Sequence, residues 1–293
     1  MYCGEAIGLV ISVFSFAMGA CIASFLNVVI WRVPRGESIV APPSHCPKCG
    51  AAIRWWQNLP IASWLALRGK CAKCHAPISP RYIAVETLGG VLFLAAFWRF
   101  GAYAPFMWVW FSLMIAGSFI DFDHQLLPDF VTIGGIVYGV FLSLLSWVCA
   151  MHFPVPAMPL YPAFQPFAAP PANALSGLAL GFSLLWIVRW LGTKAFGREA
   201  MGMGDVLLMG AVGALFGPVA VLVTLILSSL AGSVAGIAMI VSAKTKFGRF
   251  VAIPYGPYIC LGCLGWIFRG PEIVTWYVSL FKPAALRAYV SDL

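Results

Sequence analysis

Two pairs of cysteines have the spacing of metal-binding knuckles. The sequence reads CPKC at residues 46–49 and CAKC at residues 71–74. Two such pairs supply four thiolates, the ligand set of a closed, structural tetrahedral Zn²⁺ site. The predicted zinc ligands are Cys46, Cys49, Cys71 and Cys74. His45 and His75 adjoin the pairs and could be ligands in a variant site, although four cysteines suffice.

Four aspartates at the ends of apolar stretches are candidates for acid and base chemistry. They are Asp121, Asp123, Asp129 and Asp205. A carboxylate near the bilayer is costly unless it is solvated or paired, so a functional role is the default. For Asp123, in a solvated turn, and for Asp129, at the start of a helix, we favour structural roles.

Asp121 and Asp205 stand in a different context. Asp121 directly follows the apolar run 114–120, and Asp205 follows the two glycines of a G-x-G, Gly202 and Gly204. Glycine lets a backbone come close to another chain, here a substrate strand. These two aspartates are therefore the candidates for catalysis.

The elements that hold these residues are membrane helices. Of the 293 residues, 61% are hydrophobic and only 10% are charged, and the mean hydropathy is +0.91. Soluble domains average about 45–50% apolar and about 25% charged residues. This composition excludes a water-soluble enzyme, a secreted disulfide scaffold and a disordered chain. It predicts an all-α polytopic membrane protein.

Apolar runs bounded by charge, proline or glycine predict about eight transmembrane helices. Their ranges are about 6–30, 83–99, 105–121, 130–151, 173–191, 204–217, 219–242 and 251–268. The sixth is short and is expected to be partly buried, with Gly217 and Pro218 at the turn that follows it. No basic residue precedes the first run, which argues against a cleaved signal peptide. The proline-rich stretch 151–171 predicts an irregular external loop.

The charge pattern orients these helices. The net charge is +8, and most of the 18 Lys and Arg residues fall on one side of the map, many of them in segment 32–81. By the positive-inside rule this segment is cytoplasmic and the N-terminus is outside, so nucleic acid is not an expected partner. A reducing cytoplasm disfavours disulfides there. A loop of about 50 residues also needs a metal to hold a fold.

The same map brings Asp121 and Asp205 to one leaflet from different helices. Two carboxyls close together do not both ionise easily, so one is held protonated, as in aspartic proteases. The charged partner would activate a water, and the protonated one would polarise the scissile carbonyl.

In combination, these motifs resemble the type IV prepilin peptidases, which are bifunctional leader peptidases and N-methyltransferases. The resemblance rests on SFLNVVI at 24–30 with Arg32 and Pro34, the two C-x-x-C pairs, Arg81-Tyr82 with Glu86, Asp121 with LPD at 127–129, and GMGD at 202–205. It runs from about Gly19 to the eighth span. One departure is Leu207, which stands where the family pattern usually has a lysine.

The resemblance implies an aspartic endopeptidase of the bacterial cytoplasmic membrane. Such an enzyme cuts the basic leader of prepilins or pseudopilins after a glycine and methylates the new N-terminal residue with S-adenosylmethionine. Carried over by motif, the catalytic pair is Asp121 and Asp205. By position, Gly69 and Lys70 are the candidates for methyl transfer.

The resemblance also suggests residues that bind substrate. Glu86 would orient the substrate amine, with a salt bridge to Arg81 or Arg32 as an equal alternative. Asp123 or Asp129 would steer the basic leader electrostatically. Gly202 and Gly204 complete this candidate set.

The expected organisation has four parts. They are a first transmembrane helix (1–31), a cytoplasmic zinc-binding loop (32–82), a membrane-embedded peptidase core (83–268) and a C-terminal tail (269–293). An ion-coupled transporter would predict repeated halves, and 1–150 and 151–293 show no internal repeat. A general intramembrane aspartyl protease leaves the zinc loop and the segment around Asn27 unexplained.

Overall fold

The fold, described by a computed structural model for residues 2–152, 171–199, 201–242 and 254–281, is almost entirely helical. Its helices are α1 (Tyr2–Arg32), α2 (Ala62–Ala66), α3 (Pro80–Phe100), α4 (Ala104–His124), α5 (Asp129–His152), α6 (Pro171–Phe196), α7 (Met203–Ser242) and α8 (Gly256–Phe281). No strand occurs in these ranges, which confirms the predicted all-α class. Most of the predicted external loop, 153–170, lies outside the described residues.

Five helical stretches in the described ranges are long and apolar enough to cross a membrane. They are Ala6–Arg35, Pro80–His124, Asp129–Val148, Pro171–Phe196 and Met203–Met239. The second and fifth have 45 and 37 residues, whereas one crossing needs about 20. The protein is therefore a multi-pass membrane protein, and the count of eight spans stays a prediction.

Local sequence explains where several helices begin and end. Ser79 caps α3 by accepting a hydrogen bond from the Arg81 N–H at 3.3 Å, and Pro80 follows at the first helical position. α4 ends at His124, and Gln125 after it adopts a left-handed conformation. α8 continues to Phe281, beyond the predicted span end at 268.

The chain divides into two compact units, Met1–Val131 and Thr132–Leu293. In the first unit, α1 packs along α3 and α4. Gly19 and Gly89 let α1 and α3 approach closely, since a Cβ on Gly19 would lie 2.3 Å from the Gly89 carbonyl oxygen. The Phe93 and Trp108 rings stack with centroids 5.1 Å apart, and the Trp108 indole N–H donates to the Phe93 carbonyl.

In the second unit, α7 packs against both α6 and α8. The α6–α7 contact is again built on small residues, since a Cβ on Gly213 would lie 2.0 Å from the Gly177 carbonyl oxygen. Gly217 interrupts α7 with non-helical angles, φ 82° and ψ −179°. The break falls where the sequence predicts the end of a helix. The half of α7 before it is largely buried, also as predicted.

The α6–α7 contact leads to a first testable prediction, on stability. Changing Gly213 to Ala forces the two backbones apart, and overpacking of this kind costs about 1–3 kcal/mol. That cost exceeds the gain in helix propensity, about 1 kcal/mol. We expect Gly213→Ala to lower the thermal unfolding midpoint in detergent. Gly8→Ala is the matched control, because nothing lies within 4 Å of its added Cβ. Equal midpoints for both variants would contradict the packing described.

Candidate functional site

The two cysteine pairs lie in tight turns of the same design, residues 44–53 and 69–78. In each turn, the N–H of the first cysteine donates to the carbonyl five residues later, at 2.9 and 2.8 Å. The N–H four residues after that cysteine donates back to its carbonyl, at 2.8 and 3.0 Å. That fourth position has a positive φ in both turns, 66° at Gly50 and 55° at His75. His75 thus occupies the turn position that Gly50 occupies in the first knuckle.

The four thiols converge on a volume that suits one metal ion. The sulfur atoms of Cys46, Cys49, Cys71 and Cys74 all lie within 4.8 Å of one another. The Cys46 and Cys74 sulfurs are 3.8 Å apart. A tetrahedron with Zn–S bonds of about 2.3 Å has edges of about 3.8 Å. The predicted ligands therefore form a four-cysteine cluster that fits Zn²⁺, and the cluster contains no histidine.

Backbone N–H groups in the knuckles favour thiolates. The Cys49 N–H is the main cause that lowers the pKa of Cys46, and the Cys74 N–H is the main cause that lowers the pKa of Cys71 to about 6. The Ala76 N–H also lowers the pKa of Cys74, but burial and the neighbouring thiols together raise it to about 11. A bound cation would relieve this crowding of negative charge and release the last proton.

Gly69 has a backbone role at the entrance of the second knuckle. Its φ is +66°, and a Cβ there would lie 2.8 Å from the Trp64 ring. Its N–H donates to the Trp64 carbonyl at 2.9 Å, and its carbonyl accepts from Ile78 at 2.7 Å. Lys70 beside it is exposed. Any larger residue at Gly69 would disturb the knuckle as well as any methyl transfer there.

Glu86 connects α3 to the cysteine-rich loop. Its buried carboxylate accepts a hydrogen bond from the Ile61 N–H at 2.7 Å, and Ile61 has a positive φ of 62°. Arg81 pairs instead with Asp123, and Arg32 donates to two backbone carbonyls at 2.8 and 2.7 Å. The salt bridge from Glu86 to Arg81 or Arg32 was therefore a wrong alternative. Glu86 instead holds the strained turn at Ile61 in place.

Asp121 lies in the last turn of α4 and is only 5% exposed. Arg81 reaches from α3 to the residues on either side of it. The guanidinium pairs with the Asp123 carboxylate at 2.6 Å and donates to the Phe119 carbonyl at 3.4 Å. Asp123 is thus helical and ion-paired, whereas the sequence predicted a solvated turn. Arg81 fixes the helix end that carries Asp121.

Asp205 lies in the first turn of α7 and is 8% exposed. The segment that leads into it is held by Arg189, which reaches across from α6. Arg189 donates to the Met201 carbonyl at 3.0 Å, to the Met203 sulfur at 3.6 Å and to the Glu199 carboxylate at 3.0 Å. The helix dipole at this end also favours a carboxylate.

Arg189 was missed as a site residue from the sequence, where it served only to mark orientation. A usable signal was its charge, placed a short distance before the G-x-G-D motif at the end of an apolar helix.

The other predicted residues lie near the starts of α7 and α5. Gly202 is exposed, and a Cβ on it would lie 3.5 Å from an Asp205 carboxylate oxygen, an ordinary contact. Gly204 and Leu207 are half-buried. Asp129 is exposed and begins α5, as its predicted structural role requires.

Comparison with known proteins places both halves of the chain in one family. Residues 17–100 match the bacterial peptidase A24 N-terminal domain, and residues 108–237 match the type IV leader peptidase family. The chain is 38% identical to a prepilin leader peptidase/N-methyltransferase of Myxococcus xanthus over 95% of this chain and 78% of that protein.

Two further relatives agree. The prepilin leader peptidase/N-methyltransferase of Pseudomonas aeruginosa is 34% identical over 89% of this chain and 91% of its own. A type 4 prepilin-like proteins leader peptide-processing enzyme of Escherichia coli is 34% identical over 85% and 91%. No solved structure gave a significant match. The chain belongs to the type IV leader peptidase family.

Proposed function

We propose that this protein removes the leader peptide of type IV prepilins or pseudopilins after a glycine and then methylates the new N-terminal residue. The observation that carries the proposal is identity of 38% to a bifunctional relative across 95% of the chain. A match over 95% of the chain spans the segment of the cysteine-rich loop and the segments that carry the two aspartates. The enzyme is an aspartic endopeptidase and an N-methyltransferase.

The peptidase step uses Asp121 and Asp205, which are both buried. One carboxyl is ionised and takes a proton from water as the water attacks the carbonyl carbon of the leader glycine. The other is protonated and donates to the carbonyl oxygen. Collapse of the tetrahedral intermediate breaks the C–N bond, and a proton passes to the departing amine. This division of roles requires the two acids to share one proton.

The arginine contacts at each aspartate support this step by fixing where the carboxyls lie. Arg81 holds the end of α4, and Arg189 holds the segment before Asp205. Both are positioning residues that act through the aspartates. A displacement of about 1 Å in such a site can cost about 10²-fold in rate.

The positioning role of Arg189 can be measured. We expect Arg189→Met to lower kcat for prepilin cleavage about tenfold or more, with a smaller loss for Arg189→Lys. KM and the methylation of an already cleaved peptide should stay unchanged, and general misfolding would change both. Glu199→Gln is the control, because that carboxylate is 76% exposed and such a pair contributes only about 0–1 kcal/mol. Unchanged kcat in Arg189→Met would refute the role.

The methyltransferase step depends on the cysteine-rich loop. When bound, S-adenosylmethionine would transfer its methyl group to the neutral N-terminal amine, which would lose a proton, and S-adenosylhomocysteine would leave. Cys46, Cys49, Cys71 and Cys74 hold a structural zinc ion that keeps the loop folded. Gly69 shapes the second knuckle, and Lys70 beside it is the exposed candidate for a role in methyl transfer.

The proposed orientation has the loop and both aspartates on the cytoplasmic side of the inner membrane and the N-terminus outside. Glu86, Gly202 and Gly204 remain candidates for substrate contact. Of the two aspartates predicted to steer the basic leader, Asp129 suits the role better, because Arg81 offsets the charge of Asp123. The four-part division at residues 31, 82 and 268 is proposed with this orientation.

A test in cells uses a bacterial strain that lacks its own leader peptidase and expresses a prepilin with this protein. Immunoblotting should show conversion of the prepilin to the shorter pilin. A prepilin that stays full-length, with the protein present in the membrane fraction, would refute the proposed activity.

A further inference from the structure

A cavity of about 380 Å³ lies in the first unit, between the C-terminal half of α1 and the cysteine-rich loop. One wall is a single face of α1 that includes Ser24, Phe25 and Arg32. The other is formed by loop residues between 39 and 44 and by residues 58–60. Its volume falls in the range of small-molecule sites, about 300–1,000 Å³.

The loop wall is shaped by the zinc knuckle and by Glu86. Ser44 lines the cavity, and its carbonyl accepts the Ile53 N–H at 2.9 Å, which closes the first knuckle. Pro60 also lines the cavity and precedes Ile61, whose N–H is held by Glu86. The cavity therefore has its shape only while the cysteine-rich loop is folded and attached to α3.

The lining chemistry is mixed, as a polar cofactor requires. The buried guanidinium of Arg32 donates hydrogen bonds to the Ser38 and Pro42 carbonyls. A guanidinium has five N–H donors, so others remain that can bind a carboxylate. Ser24 and Asn58 can hydrogen-bond to hydroxyls or ring nitrogens. The half-exposed ring of Phe25 offers a face on which a flat base can stack.

A second cavity, of about 310 Å³, lacks this chemistry. Its walls include Leu9, Val13, Phe16 and Leu94, with little polar surface. They lie within membrane-crossing stretches.

We propose that the cavity between α1 and the cysteine-rich loop binds S-adenosylmethionine. The inference rests on the proposed methyltransferase function. Arg32 binds the donor's carboxylate, Phe25 stacks on its base, and Ser24 and Asn58 bind its polar groups. The zinc knuckles thereby act on methyl transfer at a distance, by building one wall of the donor site. Gly69 and Lys70 do not line this cavity.

Binding of S-adenosylmethionine to the purified full-length protein in detergent tests the site directly. Calorimetric titration should give at least tenfold weaker binding for Ser24→Leu and Asn58→Leu than for the wild type. Ser176→Leu, an exposed serine on α6, is the matched control and should bind as the wild type does. Zinc content and prepilin cleavage should be retained in all variants.

The outcomes separate the site from the activity. A wild-type protein that neither binds nor uses S-adenosylmethionine would refute the methyltransferase function itself. Normal binding by both cavity variants would overturn the site while the function stands.

A second measurement uses only the wild-type protein and therefore does not require any variant to fold. Radiolabelled S-adenosylmethionine is cross-linked to the wild-type protein with ultraviolet light and the labelled peptides are mapped. We expect label in residues 21–60. Label confined to residues 62–78 would contradict the assignment.

Discussion

Replacing either Asp121 or Asp205 by asparagine should lower the rate of prepilin cleavage by about 10²–10⁴-fold, the contribution typical of a general acid or base. Asparagine keeps the size of the side chain and removes its ability to exchange a proton. The double variant should cleave about as slowly as the slower of the two single variants. The effects of residues that act as a unit on the rate are not additive. Initial rates measured by gel shift of a purified prepilin give the comparison.

The methyltransferase provides the internal control for this experiment. Both variants should methylate a peptide that already begins at the mature N-terminus as fast as the wild type does. Glu272→Gln, a change at a half-exposed carboxylate on α8, should cleave normally. Cleavage that survives in either aspartate variant would rule out the proposed pair.

Loss of one zinc thiolate should have the second largest effect. Cys71→Ser removes one of four ligands whose sulfurs lie within 4.8 Å of one another. Structural zinc supplies about 10–16 kcal/mol of apparent binding free energy in small zinc-dependent folds, so the loop depends on it. We expect less than stoichiometric zinc by mass spectrometry, rapid proteolysis within residues 38–79 and loss of methylation.

A change at the neighbouring histidine separates the metal site from the turn. His75→Gly places in the second knuckle the residue that the first has at the same position, Gly50, and glycine accepts the positive φ of 55°. This variant should keep one zinc per chain and methylate normally. Loss of zinc in His75→Gly would show that the histidine is a ligand and that the four-cysteine site is wrong.

Features set by local spacing were predictable from the sequence. The two cysteines of each pair come together because they lie in a tight turn. The break at Gly217 falls where glycine and proline adjoin in an apolar run. A further local signal was overlooked, since both knuckles read C-x-K-C-x-A-x-I. This repeat would have indicated that His75 is a turn residue.

Features set by long-range contacts were not predictable. The Ile61 N–H that binds Glu86 is 25 residues away in the chain, and no pattern in a single sequence pairs a carboxylate with a distant backbone donor. The salt bridge of Arg81 with Asp123 spans 42 residues. α8 continues past the predicted span end at 268, and Arg269 and Glu272 face each other at 4.0 Å within the continuing helix.

The N-terminus of the product formed by the wild-type protein tests both proposed activities most directly. Purified protein in detergent is incubated with a prepilin, with and without S-adenosylmethionine, and the product is read by mass spectrometry. We predict cleavage after the leader glycine in both samples and a product one methylene heavier only when the donor is present. An intact prepilin in both samples, from a protein that retains its zinc, would contradict the proposed function.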